Sequence, residues 1–500
     1  MKILFAASEV YPFAKTGGLA DVVASLTNEL CRLGHDVKLL LPGYPQLHEQ
    51  FKTDFKEKSP FPLGQLSSYE LSVGKLPNLN ADVVLVESER AYGKSRQLYS
   101  GTKLNQFVQY LLLSHAAARV TAGRGFNWHP DVIHANDWHS GLAFNFMEHF
   151  GVRDVARVFS VHNIAFPGKF PLSYWSLIGD NIGELAGGKF LGNNEFSFLE
   201  EALLLADKVN TVSESYSEEI QGPVFGFGFE DILTKRHRDL HGILNGVDYG
   251  VWHPEQDRHL PLKSSSYGPE EKARIKTIVQ QRFGLPQNPD ALLCSFTNRL
   301  THQKMVDIVT RAVERADREK FQFVFHGNGQ DEFVAAVSHI SSKSNVSYLP
   351  GFKEATEHQL LAGADVCLSP SRFEPCGLNA LYAMRYGALP LVRPVGGYRD
   401  TVKDIFSNDA GAGRGNGFYA PAESVEGLHH ALERIYSVYQ DKREWNQFVD
   451  NAKRENFSWS ESGRRYVNLY NLALRKKSIF QDFTQLGDNN VVHAAQKMAG

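Results

Sequence analysis

The chain has 500 residues, of which 42% are hydrophobic, so it is long enough to form two or three domains. Its 53 Lys and Arg residues nearly balance 56 Asp and Glu residues, and no dense basic tract occurs, which argues against a nucleic-acid partner. No window approaches the apolar length of a membrane-spanning helix, and the four cysteines form no C-x-x-C pair. The composition therefore predicts a soluble cytoplasmic protein with reduced thiols and no membrane partner.

The first half of the chain alternates short apolar runs with amphipathic stretches. Residues 2–7 predict a strand, and a helix should follow the Gly17-Gly18 loop and end at Gly34. Residues 37–41 predict the next strand, which completes a βαβ unit with a right-handed crossover. Further strands, each leading into a polar loop, are predicted at residues 131–134, 155–161, 208–212 and 242–244.

A second alternation of the same kind begins at Ala291. The polar, charged stretch from about 249 to 290, with one helix near 270–283, reads as an interdomain segment. After it, a helix is predicted at 306–316, and strands at 292–296, 321–325, 346–349, 366–368 and 389–392. Two consecutive series of this kind predict the α/β class, with two doubly wound, Rossmann-like domains. In such sheets ligands bind beyond the carboxyl ends of the strands.

The most informative motif is PSRFEPCGL at residues 370–378. A strand is predicted to end just before it, Glu374 is presented in the loop, and Gly377 opens a predicted helix. The N–H groups at a helix start attract anions, so a phosphate can bind there. A carboxylate beside a phosphate suits glycosyl transfer from a nucleotide sugar, which expels phosphate and develops positive charge on carbon. The alternatives are a salt bridge between Glu374 and Arg372, or a plain carboxylate at a helix start.

Two cations follow the strand predicted at 292–296. Arg299 and Lys304 lie in one loop after this strand, where they can clamp a diphosphate and stabilise the departing group. A solvated basic loop is the alternative. Two glycine pairs in the same half, in the loops 327–329 and 396–397, allow a close approach of backbone to ligand but serve tight turns equally well.

In the first half, Lys15-Thr16-Gly17-Gly18 places a cation at the mouth of a helix and matches no dinucleotide or ATP fingerprint. His134, Asp137, His139 and His162 fall at strand ends. Their spacing fits no strong zinc pattern, so contacts to sugar hydroxyls are favoured over a metal. Aromatic residues that could stack on sugar faces, or fill the core, are Tyr11, Trp138 and Phe166.

Several motifs occur together in the order typical of one family. They are KTGGLADV at 15–22, HANDWH at 134–139, VHN at 161–163, LNGVD at 244–248, the loop at 299–304, EPCGL at 374–378 and FSW at 457–459. In these motifs, which span the chain to about residue 475, the sequence resembles the bacterial glycogen synthases of the ADP-glucose-dependent starch and glycogen synthase family. The Lys-Thr-Gly-Gly opening is what separates this family from other two-domain glycosyltransferases.

The resemblance implies a GT-B fold, in which two Rossmann-like domains face each other across a cleft. The expected divisions are an N-terminal domain on the glucan acceptor side (1–248), a C-terminal domain on the nucleotide-sugar donor side (249–456), a helix crossing back to the first domain (457–480) and a polar tail (481–500). The implied reaction transfers glucose from ADP-glucose to the non-reducing-end 4-hydroxyl of an α-1,4-glucan such as glycogen, with retention. No metal or other cofactor is expected, and both monomer and homo-oligomer stay open.

The resemblance also implies roles for individual residues. Arg299 and Lys304 would bind the donor diphosphate, and Glu374 would stabilise an oxocarbenium-like state. Asp137 and His162 would contact the glucosyl unit. Further donor-site residues are Lys15, Gly17, Gly18, Phe352, Cys376, Gly377, Leu378 and Asn379, and acceptor-side residues are Glu9, Tyr11, Trp138 and His139.

Five places depart from the family pattern without removing a charge that the reaction needs. They are Met305 for Gly, Phe352 for an aromatic that is often Tyr, Asn379 for Thr, Gln330 for Asp, and Tyr398-Arg399 for Leu-x. They leave a UDP-glucose-dependent transferase of the same fold as an alternative. A non-catalytic glucan-binding protein is the other alternative, although such a protein would have no need of a diphosphate clamp.

Overall fold

The structure is a computed structural model that describes residues 1–57, 61, 66–93, 96–178, 194–262, 266–407 and 413–498. The chain forms two compact units. Unit 1 contains Met1–Val212, Ser217–Gly246 and Trp459–Gly500, and unit 2 contains Ser213–Tyr216 and Val247–Ser458. The end of the chain is therefore part of the first unit.

Unit 1 is built on a nine-stranded sheet whose spatial order is β11-β10-β7-β6-β1-β2-β5-β4-β3. The strands are β1 (Lys2–Ala6), β2 (Asp36–Pro42), β3 (Lys52–Glu57), β4 (Glu70–Lys75), β5 (Asp82–Glu87), β6 (Val132–Asn136), β7 (Ala156–Val161), β10 (Lys208–Thr211) and β11 (Leu240–Gly242), while β8 (Lys169–Pro171) and β9 (Glu195–Ser197) form a separate pair. The strands from β11 to β5 are parallel, and β4 and β3 add an antiparallel edge. The predicted parallel sheet is confirmed, although β11 begins two residues earlier than predicted.

Helices of unit 1 follow or precede these strands. They are α1 (Gly18–Arg32), α2 (Pro45–His48), α3 (Glu89–Tyr92), α4 (Lys103–Thr121), α5 (Ala143–His149), α6 (Phe198–Leu205), α7 (Glu214–Glu219), which starts in the short segment grouped with unit 2, and α8 (Glu230–Lys235). The apolar face predicted for the first helix is buried, and Gly34, at φ 86°, terminates it as expected of a C-terminal glycine.

Unit 2 is a six-stranded sheet in which every pairing is parallel. Its strands are β12 (Leu292–Thr297), β13 (Phe321–Gly327), β14 (Val346–Pro350), β15 (Val366–Leu368), β16 (Leu389–Val392) and β17 (Phe418–Tyr419), in the order β14-β13-β12-β15-β16-β17. Its helices are α9 (Pro269–Arg282), α10 (Val306–Arg315), α11 (Asp331–Ile340), α12 (Glu354–Gly363), α13 (Leu378–Arg385), α14 (Gly397–Thr401), α15 (Val425–Gln440) and α16 (Lys442–Arg454). Every residue of β12 and β13 is buried, as expected of central strands covered on both faces.

The last helix, α17 (Trp459–Met498), belongs to unit 1 and is longer than the helix predicted from the sequence. It begins close to the predicted start and continues through residues 481–498, which were predicted as a polar tail. Two of its tyrosines enter the core of unit 1, where Tyr470 hydrogen-bonds His134 at 2.9 Å and Tyr466 accepts from Asn210 at 3.1 Å. Within the described part of the chain, no helix has both the length and the apolar character needed to cross a bilayer.

Candidate functional site

The order of the unit 2 sheet reverses between the neighbouring strands β12 and β15. The loop after β12 carries Arg299 and Lys304, and the loop after β15 carries Glu374. In open parallel sheets, ligands bind outside the carboxyl ends of the strands at this point of reversal. The predicted catalytic residues of this half therefore come from the two loops where a ligand site is expected.

Glu374 forms a close ion pair with Lys304 and accepts a hydrogen bond from Ser371 Oγ at 2.9 Å. The side chains of Glu374 and Lys304 are only 11% and 12% exposed, so the pair is largely shielded from water. The alternative pairing of Glu374 with Arg372 is wrong, because Arg372 binds Asp307 through two hydrogen bonds of 2.9 and 3.0 Å. The structure thus brings together a carboxylate and a cation from two different loops.

A framework of further contacts fixes these two loops to each other. The N–H of Arg372 donates to the carbonyl of Gln303 at 2.8 Å, and the Gln303 amide donates back to the carbonyl of Phe373 at 3.1 Å. Arg372 Nε also donates to Glu423 at 2.6 Å. The positions of Lys304 and Glu374 are therefore set by backbone and side-chain hydrogen bonds on both sides.

The backbone after Glu374 turns tightly into α13. Gly377 has φ 83° and ψ 40°, and a Cβ atom added there would lie 2.3 Å from Cε1 of Tyr398. Tyr398 is fully buried, and its hydroxyl hydrogen-bonds Ser369 Oγ at 2.8 Å. A Cβ atom on Gly397 would meet the Cys376 carbonyl at 2.2 Å. The predicted phosphate cradle at Cys376-Gly377-Leu378 is thus a close-packed turn at a helix N-terminus, the end of a helix that favours anions.

Gly377→Ala is expected to lower turnover strongly, because it adds a steric clash with Tyr398 to the cost of a left-handed residue. Gly34→Ala is a matched control, since Gly34 has φ 86° but open space around its Cα. The control should lose about 1–2 kcal/mol of stability with activity unchanged. Thermal unfolding and initial rates of glucosyl transfer measure both effects. Equal behaviour of the two variants would contradict a role for the close packing at Gly377.

The structure explains how two of the residues that depart from the family pattern are accommodated. Met305 lies in the left-handed region at φ 53°, which explains why glycine is usual there, and its buried side chain offsets the strain. The Asn379 amide donates to both the carbonyl and Oγ1 of Thr297, each at 3.1 Å. Asn379 therefore ties the start of α13 to the end of β12, and its contact to phosphate stays a prediction.

Arg299 and Phe352 are two exposed members of the predicted donor set. Arg299 lies two residues beyond β12, and Phe352 two residues beyond β14, with 57% of its surface exposed. The Phe352 ring is nearly parallel to that of His326, with centroids 6.0 Å apart. An exposed flat ring at a sheet edge is suited to stacking on a nucleotide base, as predicted for this position.

In unit 1, the sheet order reverses between β1 and β6, which are again neighbours. The loop after β1 holds one group of predicted site residues, Glu9, Tyr11, Lys15, Gly17 and Gly18. The loop after β6 holds another group, Asp137, Trp138 and His139. Most of the site residues predicted for the first half therefore also come from the point of reversal, whereas His162 follows the neighbouring strand β7.

Glu9 organises the loop that contains Lys15. Its buried carboxylate accepts from the N–H and the hydroxyl of Thr16, both at 2.7 Å, and from the N–H of Gly17 at 3.3 Å. The hydroxyl of Tyr99 donates to the same carboxylate at 2.5 Å. Because these bonds hold the loop itself, a contact of Glu9 to an acceptor stays a prediction.

Lys15 is mostly buried in this loop, and its charge is balanced by a neighbouring carboxylate. Its Nζ forms an ion pair with Asp21 Oδ1 at 2.8 Å and lies 5.1 Å from the ring centroid of Tyr11. Both side chains of the ion pair are about 15% exposed. The contacts hold the cation at the N-terminus of α1, where an anionic ligand would also be favoured.

Asp137 and His162 form one hydrogen-bonded group with Asn136. Asp137 Oδ1 accepts from the N–H of His162 at 2.8 Å, and His162 Nε2 donates to Asn136 Oδ1 at 2.9 Å. Burial raises the pKa of Asp137 to about 7 and lowers the pKa of His162 to about 3. The imidazole is therefore neutral near pH 7. Asp137 also has φ 52° and ψ 176°, and strained backbone of this kind concentrates at functional sites.

Asp137→Asn is expected to change how stability depends on pH. The pKa of Asp137 in the folded chain lies above its ordinary value of 3.8, so the folded state holds the proton more tightly than the unfolded state. The free energy of unfolding should therefore fall as pH rises from about 4 to about 7. The variant has no proton to lose at this position, so the unfolding free energy of the wild type should fall relative to that of the variant over that window. If the unfolding free energies of wild type and variant differed by the same amount at every pH, the raised pKa of Asp137 would be excluded.

Trp138 and His139 lie mostly in an aromatic cluster. They occupy a 3-10 turn and are 9% and 6% exposed. The His139 ring stacks on Tyr99 with centroids 4.8 Å apart and meets Tyr110 edge-on at 4.6 Å. Phe166, in contrast, is 49% exposed. Trp138 is therefore better described as part of the core than as an exposed ring that stacks on a sugar.

The histidines considered in the sequence analysis as possible metal ligands lie in separate environments. His134 is fully buried between Ser160 and Tyr470, and burial lowers its pKa well below the usual value. Within the described part of the chain, His134, Asp137, His139 and His162 do not gather as a set of metal ligands.

Several residues that shape the site were not singled out from the sequence. They are the hydrogen-bond partners of the predicted residues, namely Thr16, Asp21, Tyr99, Asn136 and Ser371. Thr16 and Ser371 lie within the motifs and could have been found by asking what a buried carboxylate needs. Tyr99 carries no sequence signal of its own.

Known proteins match the chain over almost its whole length. The family model described as starch synthase catalytic domain matches residues 2–235, and that described as glycosyl transferases group 1 matches residues 278–455. Glycogen synthase 1 of Methylococcus capsulatus is 36% identical over 487 residues, covering 95% of this chain and 97% of the relative. Glycogen synthase of Francisella tularensis subsp. novicida is 34% identical over 499 residues, covering 96% and 100%.

A solved structure agrees with these sequence matches. The catalytic domain of starch synthase IV from Arabidopsis thaliana, bound to ADP and acarbose, has a TM-score of 0.85 at 27% identity and covers 95% of this chain and 99% of its own. The predicted family and the predicted class of two Rossmann-like α/β units are confirmed. On these matches, and on two sheets whose points of reversal carry the family's motifs, the chain belongs to the glycogen synthase family of glucosyltransferases.

Proposed function

We propose that the chain elongates an α-1,4-glucan such as glycogen by transferring glucose from ADP-glucose to the 4-hydroxyl at the non-reducing end, with retention at the anomeric carbon. The observation that carries the proposal is the shielded Lys304–Glu374 ion pair beside the N-terminus of α13. It combines a carboxylate for a developing positive charge with a cation and a helix end for a departing diphosphate. Starch synthase IV, solved with ADP and acarbose, supports the choice of substrates.

In the proposed reaction, the acceptor oxygen forms a bond to the anomeric carbon as the bond from that carbon to the diphosphate oxygen breaks. The acceptor proton passes to the departing diphosphate on the same face. Arg299 and Lys304 stabilise the charge that ADP gains, and Glu374 stabilises the positive charge on the sugar. One carboxylate is sufficient for this route, whereas a retaining glycosidase uses two about 5 Å apart.

The other charged groups of the unit 2 loops are consistent with a single reactive carboxylate. Asp307 and Glu423 are both engaged by Arg372. From unit 1, we assign Lys15 to the donor, and Asp137 and His162 to the glucosyl unit, as the family resemblance implies. A neutral His162 suits a hydrogen bond to a sugar hydroxyl, because it can donate or accept without a charge to desolvate.

We assign no metal or other cofactor to the transfer, since Arg299 and Lys304 supply the positive charge that a departing phosphate requires. We also place the reaction in the cytoplasm. Its support is that Cys31, Cys294 and Cys367 form no disulfide, as is usual in a reducing compartment.

A donor comparison tests the proposal. The release of ADP and UDP would be measured from ADP-glucose and UDP-glucose with glycogen as the acceptor, and the anomeric configuration of the new linkage by NMR. Faster release of ADP and a new α-linkage are expected. Faster release of UDP would point to the pocket around Phe352 and to the alternative donor. Retention of glucan without release of either nucleotide would favour a binding protein instead.

A further inference from the structure

A cluster of metal-ligating side chains lies in unit 2, outside the loops that carry Lys304 and Glu374. One nitrogen of His259, one nitrogen of His358 and one carboxylate oxygen of Glu354 all lie within 4.8 Å of one another. Glu354 and His358 are four residues apart at the start of α12, so they share one face of the helix. His259 comes from the segment between β11 and α9. Two separate parts of the chain therefore contribute to the cluster.

His358 is oriented as a metal-ligating histidine would be. It is fully buried and stacks on Trp252, with centroids 3.9 Å apart and planes 12° apart. Its Nδ1 donates to Asp257 Oδ2 at 2.7 Å, whereas its buried Nε2 has no hydrogen-bond partner among the described residues. A histidine that ligates a metal typically gives its other ring N–H to a carboxylate, which fixes the ring and leaves the opposite nitrogen available.

Asp257 also positions the third ligand. Its Oδ1 accepts from the N–H of His259 at 2.8 Å, and its Oδ2 accepts from the hydroxyl of Tyr386 at 2.6 Å. The carbonyl of His259 accepts from the Gln359 amide at 2.6 Å, which ties the turn to α12. His259 Nε2 then lies 3.7 Å from Glu354 Oε1.

We propose that His259, Glu354 and His358 bind a divalent transition-metal ion, with Zn²⁺ as the ion of choice. Two imidazoles and one carboxylate form a donor set that suits Zn²⁺, with water at the fourth position. Bonds of about 2.0–2.1 Å in a tetrahedral site hold ligand atoms roughly 3.3 Å apart. The cluster therefore needs to contract by at most roughly 1.5 Å.

One present contact would be exchanged on binding. Arg258 Nε lies 3.4 Å from His259 Nε2, and Arg258 is exposed, so its side chain can leave without opening the core. The ion would fasten the turn at 257–259 to α12 within unit 2. It has no part in the glucosyl transfer, for which no metal is assigned, and its role would be structural.

The test uses the tag-free, full-length protein and Zn²⁺ alone, titrated against a chromogenic chelator after dialysis. One tightly bound equivalent per chain is expected, together with a rise in the temperature of unfolding on adding Zn²⁺. His259→Gln and Glu354→Gln should each weaken binding at least about tenfold and abolish that rise. Both side chains are about one-quarter exposed, so both variants should fold, which circular dichroism and turnover without added metal would verify.

His339→Gln is the matched control, because His339 lies beside Glu314 at 3.9 Å on the surface, and this pair joins no group of three metal-ligating side chains among the described residues. The control should bind Zn²⁺ as the wild type does. Co²⁺ titration provides a second readout, since low-coordinate Co²⁺ absorbs visible light strongly, and the band should vanish in His259→Gln. Absence of a stoichiometric site in the wild type, or equal Zn²⁺ affinity in all four proteins, would overturn the proposal.

Discussion

Replacing Glu374 with glutamine is expected to lower the rate of glucosyl transfer by about 10²–10³-fold while donor affinity changes little. Glutamine keeps the size of the side chain and an oxygen that can accept from Ser371. It removes the negative charge that would stabilise the sugar cation in the transition state. The loss should therefore appear in kcat, because the charge matters only after the bond to the diphosphate begins to break.

The measurement is kcat for ADP release, alongside ADP-glucose affinity by calorimetry. Asp365→Asn is a matched control, because Asp365 forms a similarly buried ion pair with Lys276 at 2.7 Å in the same unit. The control should lower stability but leave kcat per folded molecule near the wild-type value. If Glu374→Gln turned over ADP-glucose at a comparable rate, the role assigned to Glu374 would be wrong.

Replacing Lys304 or Arg299 with alanine should weaken donor binding as well as slow the reaction. A hydrogen bond to a charged group contributes about 1.5–3 kcal/mol, so each change should raise the Kd for ADP-glucose by about 10–150-fold. Lys304→Ala should have the larger effect on stability, because it leaves Glu374 without its partner in a shielded position. Arg299 is exposed, so Arg299→Ala should leave stability nearly unchanged.

The control for these two variants is Arg315→Ala, which removes an exposed cation paired with Glu426 at 2.8 Å on α10. It should leave donor affinity unchanged. Titrating ADP against each protein separates affinity from rate. Wild-type affinity in both Lys304→Ala and Arg299→Ala would remove the diphosphate clamp from the proposed mechanism.

The sequence predicts most of the central strands of both sheets and the loops that follow them, because these strands are parallel and buried. These strands are continuous apolar runs. The loops that follow them carry the reactive side chains, such as Lys304 and Glu374. The neighbouring strands β3, β4 and β5 were not predicted. The strand β3 is charged and exposed at the edge of the sheet, with no apolar face to mark it, whereas β5 is a buried apolar run that was overlooked.

The sequence does not show which side chains contact one another in the folded chain. Glu374 could have paired with Arg372, two residues away, but Arg372 is bound by Asp307 and Glu423, which lie 65 and 51 residues away in the chain. The His259, Glu354 and His358 cluster was missed for the same reason. A Glu and a His four residues apart are common on helices, and only folding brings a second histidine and Asp257 beside them.

The membership of α17 in unit 1 has a consequence for how the chain is made. His134 and Asn210, in the sheet of unit 1, hydrogen-bond tyrosines of α17. Nearly all of unit 2, Val247–Ser458, is translated between the main part of unit 1 and this helix. At about 5–20 residues per second, α17 begins to emerge roughly 10 to 40 s after residue 246. At the end of that interval unit 2 has all its residues while unit 1 still lacks α17, so on the ribosome the second unit can be the first to finish folding.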